Sequence, residues 1–80
     1  MKAHVTVMPK STVLDPQGKA IQHALASLGH EQVRDVRQGK FFVLDLASAN
    51  RDQAKTEVEQ IAREVLTNPV IEEFKYEIVE

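Results

Sequence analysis

The groups able to do chemistry in this 80-residue chain are few. Its imidazoles are His4, His23 and His30, on a strand, a helix flank and the residue after a helix end. No two stand at a metal-ligand spacing, and none has a carboxylate placed to orient it as a base, so each reads as a surface histidine. The chain has no cysteine, which excludes a disulfide framework, a thiolate metal site and a cysteine nucleophile. Ser11 and Ser27 lack the Gly-x-Ser-x-Gly elbow of an activated serine. Asp15 precedes Pro16, so its carboxylate is placed as a helix N-cap. A carboxylate that accepts backbone N–H groups is held ionised with a lowered pKa, which suits structure and not proton transfer near neutrality. Gly18-Lys19 falls at the helix start, where free N–H groups attract anions. The spacing of a phosphate loop is absent, however, and Pro16 deletes one donor. Lys10, Lys19, Arg37 and Lys40 read as solvated cations. The acidic run Glu72, Glu73, Glu77 and Glu80 reads as edge-strand charge that discourages aggregation. Intrinsic catalysis has no constellation to rest on, and no metal or cofactor site is expected.

The elements that carry these residues follow from periodicity. From Lys2 to Met8 the chain alternates, with Ala3, Val5 and Val7 opposed to Lys2, His4, Thr6 and Met8, which predicts a half-buried strand ended by Pro9. After a loop over Lys10 to Leu14, Asp15 caps the first helix and Pro16 takes its first position, where a missing N–H costs nothing. Ala20, Ile21, Ala24, Leu25 and Leu28 form one helical stripe, and Gly29 is placed to end it in the left-handed conformation. Val33 and Val36 mark a weak extended segment. Phe41 to Leu46 is a strong one, with Phe42, Leu44 and Leu46 opposed to Phe41, Val43 and Asp45. Arg37-Gln38-Gly39-Lys40 between them reads as a hairpin turn, the alternative being one long strand bent at Gly39. Asn50 caps the second helix, with Gln53 completing a variant capping box. Ala54, Val58, Ile61, Ala62 and Val65 make its buried stripe, and Lys55–Glu59 and Glu59–Arg63 are i,i+4 pairs. Thr67-Asn68-Pro69 stops it. A last strand over Val70 to Val79 turns Phe74, Tyr76 and Ile78 inward.

The order β-α-β-β-α-β predicts an α+β, ferredoxin-like fold in a single domain over residues 1–80, an antiparallel sheet with two helices on one face. Its second strand is either short or fused to the third. The uncovered face then presents Phe41, Val43, Ile71 and Val79, an apolar set that marks a partner surface. A homo-oligomer is expected, a homodimer or a dimer of dimers, formed by packing these faces or joining sheet edges. The net charge of −2 argues against nucleic acid as a partner. No apolar run approaches the roughly 20 residues of a membrane span, and Met-Lys-Ala-His-Val is no secretory signal, so a cytoplasmic protein is expected.

Four segments together resemble one family. Val5-Thr6-Val7-Met8-Pro9-Lys10, Val13-Leu14-Asp15-Pro16-Gln17-Gly18, Val36-Arg37-Gln38-Gly39-Lys40 and Asn68-Pro69-Val70-Ile71-Glu72, in this order, are similar to the PurS family. These are the small subunits of phosphoribosylformylglycinamidine (FGAM) synthase, and the resemblance covers nearly the whole chain. It implies a non-catalytic subunit that dimerises, bridges a glutaminase subunit (PurQ) and a synthetase subunit (PurL), and assists ammonia transfer between them. The complete enzyme is a ligase of purine biosynthesis that makes FGAM from formylglycinamide ribonucleotide, glutamine and ATP. ATP and magnesium are then matters for the synthetase, and this chain is expected to bind no cofactor. Asp15, Pro16, Gly39 and Pro69 already have structural reasons, which leaves Lys10, Gln17, Arg37 and Lys40 as candidate subunit contacts. Phe41-Phe42 is more aromatic than the family pattern leads one to expect. A competing reading is a small-molecule-binding regulatory module of the same fold. An acylphosphatase-like enzyme is a poorer one, because the loop from Pro9 to Gln17 lacks the arginine its phosphate cradle needs.

Overall fold

In the computed structural model, which describes residues 1–79, the alternating opening segment forms β1 (Lys2–Pro9). Glu80, the last of the acidic run, lies outside the described residues. β1 is the central strand, flanked by β2 (Lys40–Asp45) and β3 (Glu72–Val79), both antiparallel to it, in the order β2-β1-β3. Val5 stands opposite Phe42 on one side and Tyr76 on the other. Because strand side chains alternate with period two, this register merges three apolar rows into one core face. Ala3, Val5 and Val7 are fully buried there, with Phe42, Leu44, Phe74 and Tyr76 packed around them. Between the strands run α1 (Pro16–Ser27) and α2 (Arg51–Ile61), so the order is β-α-β-α-β, the ferredoxin-like arrangement with three of its four strands formed.

α2 covers the core face with Ala54, Val58 and the following Ala62, all fully buried. Its cap is the predicted one. Asn50 Oδ1 accepts from the Gln53 N–H at 2.8 Å, and Gln53 Oε1 returns to the N–H of Ala49 at 3.4 Å. The stripe departs from expectation at its end. Val65 is 75% exposed, while Leu66 packs against the core. The cause is a π-helical turn over Ala62–Leu66, whose wider winding rotates Val65 off the buried side. Glu59, expected to pair along the helix with Lys55 and Arg63, accepts instead from the Tyr76 hydroxyl at 2.7 Å and ties α2 to β3.

Two further expectations are corrected. No strand forms around Val33 and Val36, and Gly39 makes no hairpin; the strand begins at Lys40. The segment's polar backbone is satisfied by side chains in place of a ladder. Gln22 Nε2 donates to the Arg34 carbonyl at 2.5 Å, and the Gln38 N–H donates to Asp15 Oδ2 at 2.7 Å. Gly39 is required for a different reason: a Cβ there would strike the Met8 sulfur and the Val7 carbonyl of β1. The last strand likewise starts at Glu72 and not Val70, because Asn68 folds Val70 and Ile71 into a turn.

α1 forms where its signals place it. Asp15 Oδ1 accepts from the Gly18 N–H at 3.0 Å. Gly29 has φ +96°, and the N–H groups of Gly29 and His30 close on the carbonyls of Ala26 and Leu25, a Schellman motif. Yet of its twelve residues only Gly18 is buried. Leu28 is 76% and Ile21 39% exposed. The apolar stripe is present and the chain does not cover it. Accordingly the molecule measures 50 × 26 × 14 Å, with a radius of gyration of 16.0 Å, against roughly 12 Å for a compact chain of this length.

Candidate functional site

The turns that precede α1, β2 and β3 meet at one corner of the molecule, and all four candidate contact residues are there. The loop after β1 brings in Lys10, the start of α1 brings in Gln17, the strand-less segment brings in Arg37, and β2 begins with Lys40. Lys10 is the hub. Its ammonium donates to the Pro69 carbonyl at 2.8 Å, its N–H donates to Ile71 O at 2.9 Å, and its own carbonyl accepts from Arg37 Nη2 at 2.8 Å. Gln17 Oε1 accepts from Gln38 Nε2 at 2.7 Å. Lys40 faces Glu72 at 3.8 Å. The other carboxylate oxygen of Glu72 takes the Asn68 N–H at 2.8 Å and so secures the turn around Pro69. A shallow cleft of about 170 Å³ between these loops is lined by Pro9, Pro16, Gln38, Gly39 and Ile71 among others.

Asp15 is the electrostatic centre of the corner. One oxygen caps α1 and the other pins Gln38. The Gln38 N–H does most to hold its carboxyl below the ordinary carboxylate value, the Gly18 N–H adds to this, and nearby Arg37 helps. A carboxylate so stabilised is a poor proton acceptor at neutral pH. Gly18 is where the corner is tightest, since a Cβ there would collide with the Val36 carbonyl. Among the described residues no three carboxylate or imidazole groups gather as a metal site. The corner joins three loops through hydrogen bonds and one ion pair.

Reasoning from sequence quoted Gln38, Asn68 and Glu72 in the family-like segments without singling them out as contacts, and the structure shows all three bonded at this corner. The i,i+4 relation of Asn68 and Glu72 beside Pro69 was a local signal for their bond.

The predicted oligomer face is more divided. Phe41 and Val43 are 62% and 55% exposed on the side of the sheet away from α2. The His4 ring meets Phe41 edge-on, with centroids 5.4 Å apart. Val79 is on the same side but across β1, beside Lys2, and Ile71 lies just before β3. Lys75 and Glu77 interrupt the path between them. Phe41 and Val43 with His4 and Thr6 therefore form the apolar part of this face.

Against known proteins, residues 2–80 match the family model PurS, described as phosphoribosylformylglycinamidine (FGAM) synthase. The phosphoribosylformylglycinamidine synthase subunit PurS of Bacillus subtilis is 43% identical over 79 residues, covering 99% of this chain and 93% of that protein. The solved structure of B. subtilis PurS superposes with a TM-score of 0.89, at 43% identity, over 99% of this chain and 98% of that one. A chain in the structure of PurLQS from Thermotoga maritima matches with a TM-score of 0.88 at 31% identity, over 98% of this chain and 95% of its own length.

Proposed function

The chain belongs to the PurS family, and from that premise we propose that it couples a glutaminase to a synthetase without chemistry of its own. It is a subunit of the FGAM synthase complex of purine biosynthesis and associates with PurL and PurQ. PurQ-type chains release ammonia from glutamine, PurL-type chains use ATP and magnesium to form the new C–N bond, and this chain bridges them and assists the ammonia transfer. It holds no cofactor. The observation that carries this reading is the match of nearly the whole chain to PurS subunits, one of them in a PurLQS structure, and the corner around Lys10 and Asp15 adds a place where three loops are tied together. Lys10, Gln17, Arg37 and Lys40 act there by holding a shaped surface toward a partner subunit. Phe41 and Val43 supply an apolar contact on the opposite side of the sheet from α2. The working form is a homodimer, which would bring apolar side chains that this chain leaves bare out of water.

The test is reconstitution with the two partner subunits, comparing glutamine with free ammonia as the nitrogen source. Glutamine-dependent synthesis should require this chain, while ammonia-dependent synthesis should survive better without it. Equal glutamine-dependent rates with and without the chain would sink the proposal.

A further inference from the structure

A second cleft opens where the π turn that ends α2 meets the start of β3, on the far side of Lys10 from Asp15. It encloses about 320 Å³, at the lower end of the range for small-molecule sites. Arg63 of the π turn and Lys10 supply its cations, and Pro69 and Phe74 its apolar wall. Turns of this kind are uncommon and concentrate at functional sites.

Donors in this cleft outnumber their partners. Arg63 makes no hydrogen bond or ion pair among the described residues, and its guanidinium is a planar fork of N–H groups. The Lys10 ammonium spends one N–H on the Pro69 carbonyl at 2.8 Å and keeps others to spare. Thr67, which also lines the cleft, is only 8% exposed, and its hydroxyl has no hydrogen-bond partner. An unpaired buried hydroxyl is costly and rare. A change of χ1 rotamer trades this hydroxyl for the methyl group, so an oxygen held in the cleft gives it a partner.

Acceptors, by contrast, are few. Glu72 takes the Asn68 N–H with one oxygen and faces Lys40 with the other. Glu73 is then the one lining carboxylate without a bond among the described residues. Its charge makes the cleft a poor host for a doubly charged anion. A singly charged carboxylate fits better, since it matches the guanidinium fork in a pair of parallel bonds and lays its carbon stem on Pro69 and Phe74.

We propose that this cleft binds one carboxylate, with Arg63 and Lys10 on its oxygens and the Thr67 hydroxyl donating to it. The group belongs either to a free small acid or to an acidic side chain of a partner subunit, and the recognition chemistry is the same for both.

Titration of the isotope-labelled chain with sodium acetate, at an ionic strength held constant with sodium chloride, tests this by nuclear magnetic resonance. The Arg63 Nε–H and the Thr67 amide should shift along a saturable curve. Arg63→Gln should weaken acetate binding at least about tenfold, and Arg63→Lys less, because lysine keeps the charge and loses the fork. Thr67→Val keeps the shape of the residue and should weaken binding about threefold to tenfold. Glu73→Gln should strengthen it. Arg63 is exposed, so its variants should keep the circular dichroism of the wild type. Shifts that stay linear in acetate, or a saturable curve indifferent to Arg63→Gln, would overturn the site. Inorganic phosphate binding more tightly than acetate would overturn the choice of a carboxylate. Two further arms identify the source. Glutamate binding more tightly than acetate to the chain alone marks a free acid. Weaker association of Arg63→Gln with the partner subunits, in sedimentation velocity, marks a partner's side chain. Acetate binding with neither effect would reduce the cleft to a bare anion preference and overturn it as a functional site. The acetate arms need no partner, so the site and the subunit reading stand or fall separately.

Discussion

At the scale of single residues, Asp15 carries two duties through one carboxylate, capping α1 and fixing the segment before β2. Its pKa is lowered in the folded chain, chiefly by the Gln38 N–H. The stabilisation is therefore fully present above the unfolded value and is lost as pH falls through the depressed folded one. Urea midpoints measured down into acid should fall less steeply for Asp15→Asn than for the wild type, while at neutral pH the variant should be the less stable. Gly18→Ala should destabilise by about 1–3 kcal/mol in thermal melts, because the Val36 carbonyl is backbone and must shift to admit the methyl group. Both roles of Asp15 were half legible. The cap was read from the Asp-Pro pair, whereas the bond to Gln38 joins residues 23 positions apart. The same distance hid the partners of Lys10, whose ammonium reaches a carbonyl 59 positions away. Lys10, Gln17, Arg37 and Lys40 lacked explanation in the sequence because their explanations are non-local.

At the scale of elements, strong local signals produced the expected structure and weak ones yielded to tertiary context. β1, both helix caps and the Gly29 terminus formed where alternation, Asp15, Asn50 and φ-permissive glycine placed them. Val33 and Val36 were too sparse a pattern to compete with Gln22 and Asp15, which took the backbone groups a strand would have used. The π turn was invisible, since Val65 and Leu66 are both apolar and an undistorted helix would bury either. It makes a clean contrast testable. Val58→Ala should cost about 2–3 kcal/mol in chemical denaturation, as a fully buried side chain, whereas Val65→Ala should stay within about 0.5 kcal/mol. Equal losses at the two positions would mean that Val65 is buried after all, in the fold or in an assembly.

At the scale of the whole molecule, the chain is elongated and its first helix buries only Gly18. A compact 80-residue domain already has a thin core, and this one withholds a helix from it. The surface left over fits a role in which contact is the function. Among the described residues no helix is long and apolar enough to cross a membrane. A Phe41→Asp, Val43→Asp double variant should retain its fold and its self-association. In the reconstituted complex it should lower glutamine-dependent synthesis at least about tenfold, the effect of losing one or two anchoring apolar contacts. Undiminished synthesis would remove that face from the list of subunit contacts.

By itself the sequence determined the opening strand, the two helices and their caps, the core-facing rows of the three strands that form, and the membership of a family. These rest on signals carried within a few residues: period-two alternation, Asp-Pro, Asn-x-x-Gln, and a glycine at a helix end. Tertiary structure alone decided that the four family-like segments converge on one corner, that residues 33–39 forgo a ladder, and that α1 stands apart from the sheet. Each of these depends on which backbone groups and apolar faces meet across tens of residues. A stripe of Ile21, Leu25 and Leu28 announces that a helix will be covered, but the periodicity that makes the stripe is blind to whether the cover comes from the same chain.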